Sequence, residues 1–258
     1  MMKNFYLILL IGTLFLSSCK DQKTSDTVNA QDVVDKAINS VGGEQFKSAE
    51  IEFDFRDRHY KAIRDKWKFQ YERIWKDSLN TFRDVLSNSG FQRFINDTLA
   101  SVPDSMAVKY TSSVNAVHYF SVLPYGLNDK AVNKTFLGEI NLKGKSYYKI
   151  KVTFDEEGGG EDYDDIFVYW INTETFKVDY LSYSYIEAHN DVGIRFREAY
   201  NERTINGLTF SDYNNYKSED PVATVYNLDS LFVANKLQLL SKIELKNIQV
   251  NLLSTPDR

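Results

Sequence analysis

The chain of 258 residues holds one cysteine, four prolines and three histidines. A single thiol excludes a disulfide framework and a thiolate-built metal site. Three histidines far apart in the chain (His59, His118, His189) argue against a histidine-based metal centre. There is no G-x-S-x-G, no H-E-x-x-H and no phosphate-cradling glycine loop, so the common hydrolase, metalloprotease and nucleotide chemistries lack their motifs. An excess of positive charge is also missing. The 31 basic and 36 acidic side chains are interspersed and leave a net charge of −5. That balance offers no footprint for nucleic acid and no polybasic patch for anionic lipid. No apolar run reaches the roughly 20 residues of a membrane-spanning helix, and the strand–helix alternation of a (β/α)₈ barrel is absent. No cofactor is expected, and a monomer is. Aromatic residues, in contrast, are plentiful: seventeen Tyr, seventeen Phe and three Trp. Such side chains favour strands and fill large cores.

The one cysteine sits where its position carries information. Lys3 precedes an apolar run from Phe5 to Leu16, and Leu16-Ser17-Ser18-Cys19 closes it with small residues. A run this short reads as a signal-peptide core. The tetrapeptide resembles a bacterial lipobox, which implies cleavage after residue 18 and acylation of Cys19. A plain secretory signal with an incidental thiol is the simpler alternative. Residues 19–29 are polar and read as a tether, leaving residues 30–258 as one domain. Acylation would place the protein in the cell envelope, held to a membrane, by expectation the outer one, through Cys19 alone. Lys20-Asp21 leaves the choice between periplasmic and surface faces open.

Ala30, Val33, Val34, Ala37, Ile38 and Val41 follow helical spacing and stop at Gly42-Gly43, which predicts an amphipathic helix. From Ser48 the period becomes two. Ile51, Phe53 and Phe55 alternate with acids and Arg56, and Trp67, Phe69 and Tyr71 alternate with polar residues, as in half-buried antiparallel strands. Short strands over 81–87 and 91–95 follow, then a helix over 112–122 ended by Pro124. Further strands are predicted over 135–142, 146–154, 166–171, 176–186, 193–204 and 208–216. Lys143-Gly144 and Asn206-Gly207 mark two-residue turns. The 166–171 segment is apolar on both faces, the mark of a strand buried on both sides. Residues 228–240 read ambiguously, with a helix among the options. Ile243, Leu245, Ile248 and Val250 read as a last strand with a bulge. The fold class is therefore mostly β with α (α+β).

Val41-Gly42-Gly43-Glu44, Phe53 to Tyr60, Asp84 to Phe91, Phe154 to Gly160, Val168 to Asn172 and Arg195 to Tyr200 form a further set of stretches. Together they resemble a Bacteroidota lipoprotein family of unknown function that shares the LolA/LolB-like fold. The resemblance implies a strongly curved antiparallel half-barrel wrapping one N-terminal helix and a helical insertion, with an apolar cavity inside. It also implies a lipid or other apolar ligand as partner, though no motif carries a carrier's role over residue by residue.

Four groups of residues are candidates for chemistry. His59, with Asp57 or Tyr60, could act as an oriented general base in a hydrolase or isomerase. On a continuous strand, Asp57 and His59 would share a face with Phe53 and Phe55, whereas a strand end paired with neighbouring charges is the plainer reading. Residues 155–165 gather seven carboxylates around three glycines, with Asp155, Glu157, Asp162 and Asp164 as candidate Ca²⁺ ligands. Their spacing fails the EF-hand template, and a solvated hairpin loop explains them as well. Arg195 and Arg197 could grip a carboxylate or phosphate headgroup, or simply pair with Asp179 or Glu187. Tyr183 and Tyr185 are candidate cavity lining. The leading expectation is a non-catalytic lipoprotein that binds an apolar ligand; an adaptor docking in an envelope assembly is a further reading.

Overall fold

The computed structural model describes residues 28–160, 163–186 and 192–253. The signal segment, Cys19 and most of the tether lie outside them. Helix α1 (Ala30–Ser40) begins where the Asn29 side chain accepts the Gln31 N–H, an N-cap that satisfies one otherwise orphaned amide. Its stripe of Val33, Val34, Ala37 and Ile38 is buried. The helix ends at Gly42, whose φ is +130°. A Cβ there would lie 2.6 Å from Leu208 Cδ2 and 2.9 Å from the Gly207 carbonyl oxygen, so the sequence needs glycine at this close approach.

Six strands then meander through short hairpins: β1 (Ser48–Phe55), β2 (Arg58–Asp65), β3 (Lys68–Lys76), β4 (Thr81–Ser87), β5 (Gly90–Ile95) and β6 (Thr98–Ala100). Helix α2 (Asp104–Ser121) separates them from a second meander of β7 (Val132–Leu142), β8 (Lys145–Phe154), β9 (Phe167–Asn172), β10 (Val178–Ile186), β11 (Val192–Ile205) and β12 (Leu208–Lys217). Helix α3 (Leu228–Val233), β13 (Gln238–Ile243) and β14 (Lys246–Leu252) follow. The strands form two seven-stranded antiparallel sheets, ordered β14-β1-β2-β3-β4-β5-β6 and β13-β12-β11-β10-β9-β8-β7. Neither sheet closes on itself. The molecule is mostly β with few helices, as the alternation predicts, and its strands are divided between two open sheets.

Three local expectations need correction. Trp67 sits in the turn before β3 and is 73% exposed, because the β2–β3 hairpin needs a turn there and Lys66 adopts a positive φ. The 228–240 segment divides into the short α3 and the start of β13. Ile243 and Leu245 belong to different places, since the chain leaves the second sheet after Ile243 and enters the first at Lys246. Asp212, 2% exposed, holds that crossover. Its carboxylate accepts the Leu245 N–H at 3.0 Å and Arg203 at 2.9 Å, while Arg203 also donates to the Leu245 carbonyl. A carboxylate and a guanidinium here replace the ladder partners that a continued strand would have had.

The core has an inner part between the sheets and helices, and an outer part behind the second sheet. Phe167, Tyr169 and Ile171 of β9 pack inward with α1, whereas Val168 and Trp170 pack outward against Leu228, Leu231 and Phe232 of α3. This two-sided cover is why β9 reads as continuously apolar, and all six of its residues are buried.

Candidate functional site

Helix α2 builds the site, because it divides the interior. One side, through Val114, His118 and Ser121, is buried. The His118 ring stacks on Tyr71 at 4.7 Å and meets Tyr60 and Phe53 edge-on at 5.6 and 6.0 Å. Its Nε2 donates to the Glu72 carbonyl of β3 at 3.0 Å; a carbonyl only accepts, so Nε2 carries the proton. Burial, with Arg64 and Arg73 nearby, pushes the His118 pKa down to about 3. In the unfolded chain it titrates near its ordinary 6.5. Between those values only the unfolded chain takes up this proton, so stability falls as pH falls from 6.5 towards 3, by up to about 1.4 kcal/mol per pH unit from this group. Urea unfolding at about pH 7 and about pH 5 should show wild type losing about 2 kcal/mol more than His118→Phe over that interval. Equal losses in the two proteins would remove His118 from the account.

Further along α2, a buried ionic cluster fastens the helix to the first sheet. Asp84 of β4 is fully buried. It accepts Arg73 Nη2 at 2.6 Å and Nε at 3.2 Å, and Arg93 Nε at 2.6 Å and Nη2 at 2.9 Å. Arg73 Nη1 donates to Ser113 of α2 at 2.6 Å, and the Arg93 guanidinium lies 3.8 Å from the Tyr110 ring of α2. The register sets this up: Arg73 pairs with Asp84 across β3–β4, and Asp84 with Arg93 across β4–β5.

The other flank of α2 faces the second sheet across a cavity of about 350 Å³. Phe55, Val117, Phe120, Tyr213, Ile243 and Leu245 supply its apolar walls. Arg197 and Tyr183 also line it, together with Ser211, Asn215 and Ser241. Arg197 therefore points inward, with its guanidinium 4.0 Å from the Phe120 ring and 4.9 Å from that of Tyr183. Arg195 and Tyr185 stack on each other at 5.0 Å and are not part of the cavity wall. Of these four candidates, the fold brings Arg197 and Tyr183 together in the interior. Asp179, a considered partner, instead accepts the Tyr147 hydroxyl at 2.9 Å, and Glu187 lies outside the described residues.

The His59 group is dispersed. The chain turns at Arg56 (φ +57°) and Asp57, so Phe53 pairs with Tyr60 and Asp54 with His59. That register corrects the predicted faces: Tyr60 is buried beside Phe53, whereas His59 joins Asp54 on the outer face. A hairpin, unlike a continuous strand, restarts the alternation. His59 Nδ1 lies 2.8 Å from Asp54 Oδ1, and its Nε2 lies 3.5 Å from Glu52. Asp57 is an exposed turn residue with its side chain 3.8 Å from Arg58. In the acidic loop, Asp155 accepts the Asn133 amide at 2.7 Å, Glu157 and Asp164 are exposed, and Asp162 lies outside the described residues. Among the described residues no three acids or histidines converge on a metal position.

The chain belongs to a family of unknown function, DUF6503, whose model matches residues 3–245. No curated protein matches it. Solved structures similar to it include a LolA superfamily protein from Nitrosomonas europaea, 10% identical, covering 90% of this chain and 96% of that one with a TM-score of 0.45. Another is a DUF1329 family protein from Desulfovibrio piger, 9% identical, covering 89% and 96% with a TM-score of 0.43. Among the described residues no helix is long and apolar enough to cross a membrane.

Proposed function

We propose that this member of a family of unknown function binds a lipid or other apolar molecule in the cavity beside α2, while anchored to the cell envelope through acylated Cys19. The observation that carries the binding reading is the cavity itself. Its volume of about 350 Å³ falls in the range of small-ligand sites, and its walls combine aromatic and aliphatic side chains with a few polar groups. The cavity is half open, so a ligand can enter it from solvent. The anchor reading rests on the signal-like segment ending at Cys19.

Native mass spectrometry and solvent extraction of protein lacking residues 1–19 test the binding. The expected result is a co-purifying lipid, or uptake of dodecanol after extraction, that is lost in Ala116→Trp, where a large ring on α2 fills the cavity. Absence of both in a folded wild-type protein would sink the proposal. In cells, Cys19→Ala should move the protein from the membrane fraction to the soluble one; retention in the membrane would refute the anchor.

A further inference from the structure

Arg197 is a buried cation without a counter-charge. It is 7% exposed. Among the described residues it has no ion pair, a condition it shares with buried Arg64 of β2, whereas buried Arg73 and the partly buried Arg203 face Asp84 and Asp212. One Nη donates to the Tyr183 hydroxyl at 2.8 Å. Its Nε is buried with no hydrogen-bond partner, and so is Oδ1 of Asn215 in the same cavity wall. Buried charges are normally paired, and buried polar atoms normally bonded. A guanidinium presents a planar fork suited to carboxylate and phosphate oxygens, and stacking on aromatic faces fixes its plane. Phe120 and Tyr183 do that here.

We infer that the ligand of this cavity is a single-chain anionic amphiphile, whose carboxylate or phosphate head meets Arg197 and whose tail lies along Phe55, Val117, Ile243 and Leu245. The inference rests on the binding reading above and specifies its ligand. A volume near the low end of small-ligand cavities suits one short chain. No reaction is involved, since the missing partner is a charge.

Calorimetric titration of the folded protein with dodecanoate, dodecyl phosphate, dodecanol and inorganic phosphate tests this, with each chain below its micellar concentration. The two anionic chains should bind at least roughly tenfold more tightly than dodecanol. In Arg197→Gln that preference should vanish while dodecanol binding is retained. Equal binding of dodecanoate and dodecanol by wild type would overturn the anionic head, and a preference that survives Arg197→Gln would overturn Arg197 as its partner, since Arg56 also lines the cavity; either result leaves the apolar cavity standing. Binding of inorganic phosphate without either chain would overturn the amphiphile. Binding of none would overturn both readings. The wild-type comparison of acid with alcohol decides the matter even if the variant does not fold.

Discussion

Asp84→Ala is expected to cost about 3–5 kcal/mol, because it strands a buried and a partly buried arginine on one sheet without a carboxylate. Arg73 and Arg93 are tied to Asp84 by four hydrogen bonds, and a guanidinium cannot escape by losing its proton. Domains of ordinary stability have about 5–15 kcal/mol in reserve, so the variant should stand close to its unfolding threshold. The loss should extend beyond the first sheet. Arg73 also holds Ser113, so α2 would lose a fixed point, and the cavity on its far flank would lose a wall. A urea midpoint within error of wild type would contradict this reading. Asp84→Asn, which keeps an acceptor but not the charge, should fall between the two.

Trp170→Ala is expected to cost a similar 3–5 kcal/mol, by a different physical route. Trp170 is fully buried, and its ring packs edge-on against Phe196 at 5.5 Å. Removing the ring leaves a void between the second sheet and α3. Its Nε1 also donates to Asp229 at 3.1 Å, where Lys149 donates as well at 2.8 Å. Trp170→Phe keeps most of the volume and should cost roughly 1–3 kcal/mol, through the lost donor and imperfect fit. Thermal unfolding followed by near-ultraviolet circular dichroism would read both variants. If alanine and phenylalanine at this position proved equally stable, the packing account would fail.

Periodicity made most of the architecture legible. The α1 stripe, the two-residue turns at Lys143-Gly144 and Asn206-Gly207, and the doubly buried β9 all follow from local patterns that tertiary packing then reinforces. The division into two sheets was not legible, because alternation reports faces and says nothing of neighbours. Ile243, Leu245, Ile248 and Val250 read as one bulged strand across a boundary that Asp212 and Arg203 impose from distant strands. The site was half visible. Arg197 and Tyr183 stood out as polar and aromatic residues on adjoining strands, but their isolation from carboxylates is a three-dimensional fact. Asp84, Arg73 and Arg93 were missed, although a signal existed. Each occupies an inward position between aromatic or aliphatic residues at period two: Tyr71-Arg73-Trp75, Phe82-Asp84-Leu86 and Phe91-Arg93-Ile95. Charges at core-facing positions imply partners of opposite sign.

The parting of β13 and β14 bears on how the molecule acquires its structure. Ala49 pairs with Leu252, and Tyr213 with Ile243, so one short stretch supplies an edge strand to each sheet. The hairpins inside each meander form from neighbours and close quickly, but the contact of β1 with β14 spans nearly the whole described chain. Loop closure over such a span makes late, slow assembly the natural order. Until it arrives, the eight-residue β1 is left as an unpaired edge of the first sheet, and edges of that kind recruit other strands. The vulnerable species on the folding route is thus the chain with both meanders formed and its last two strands still free.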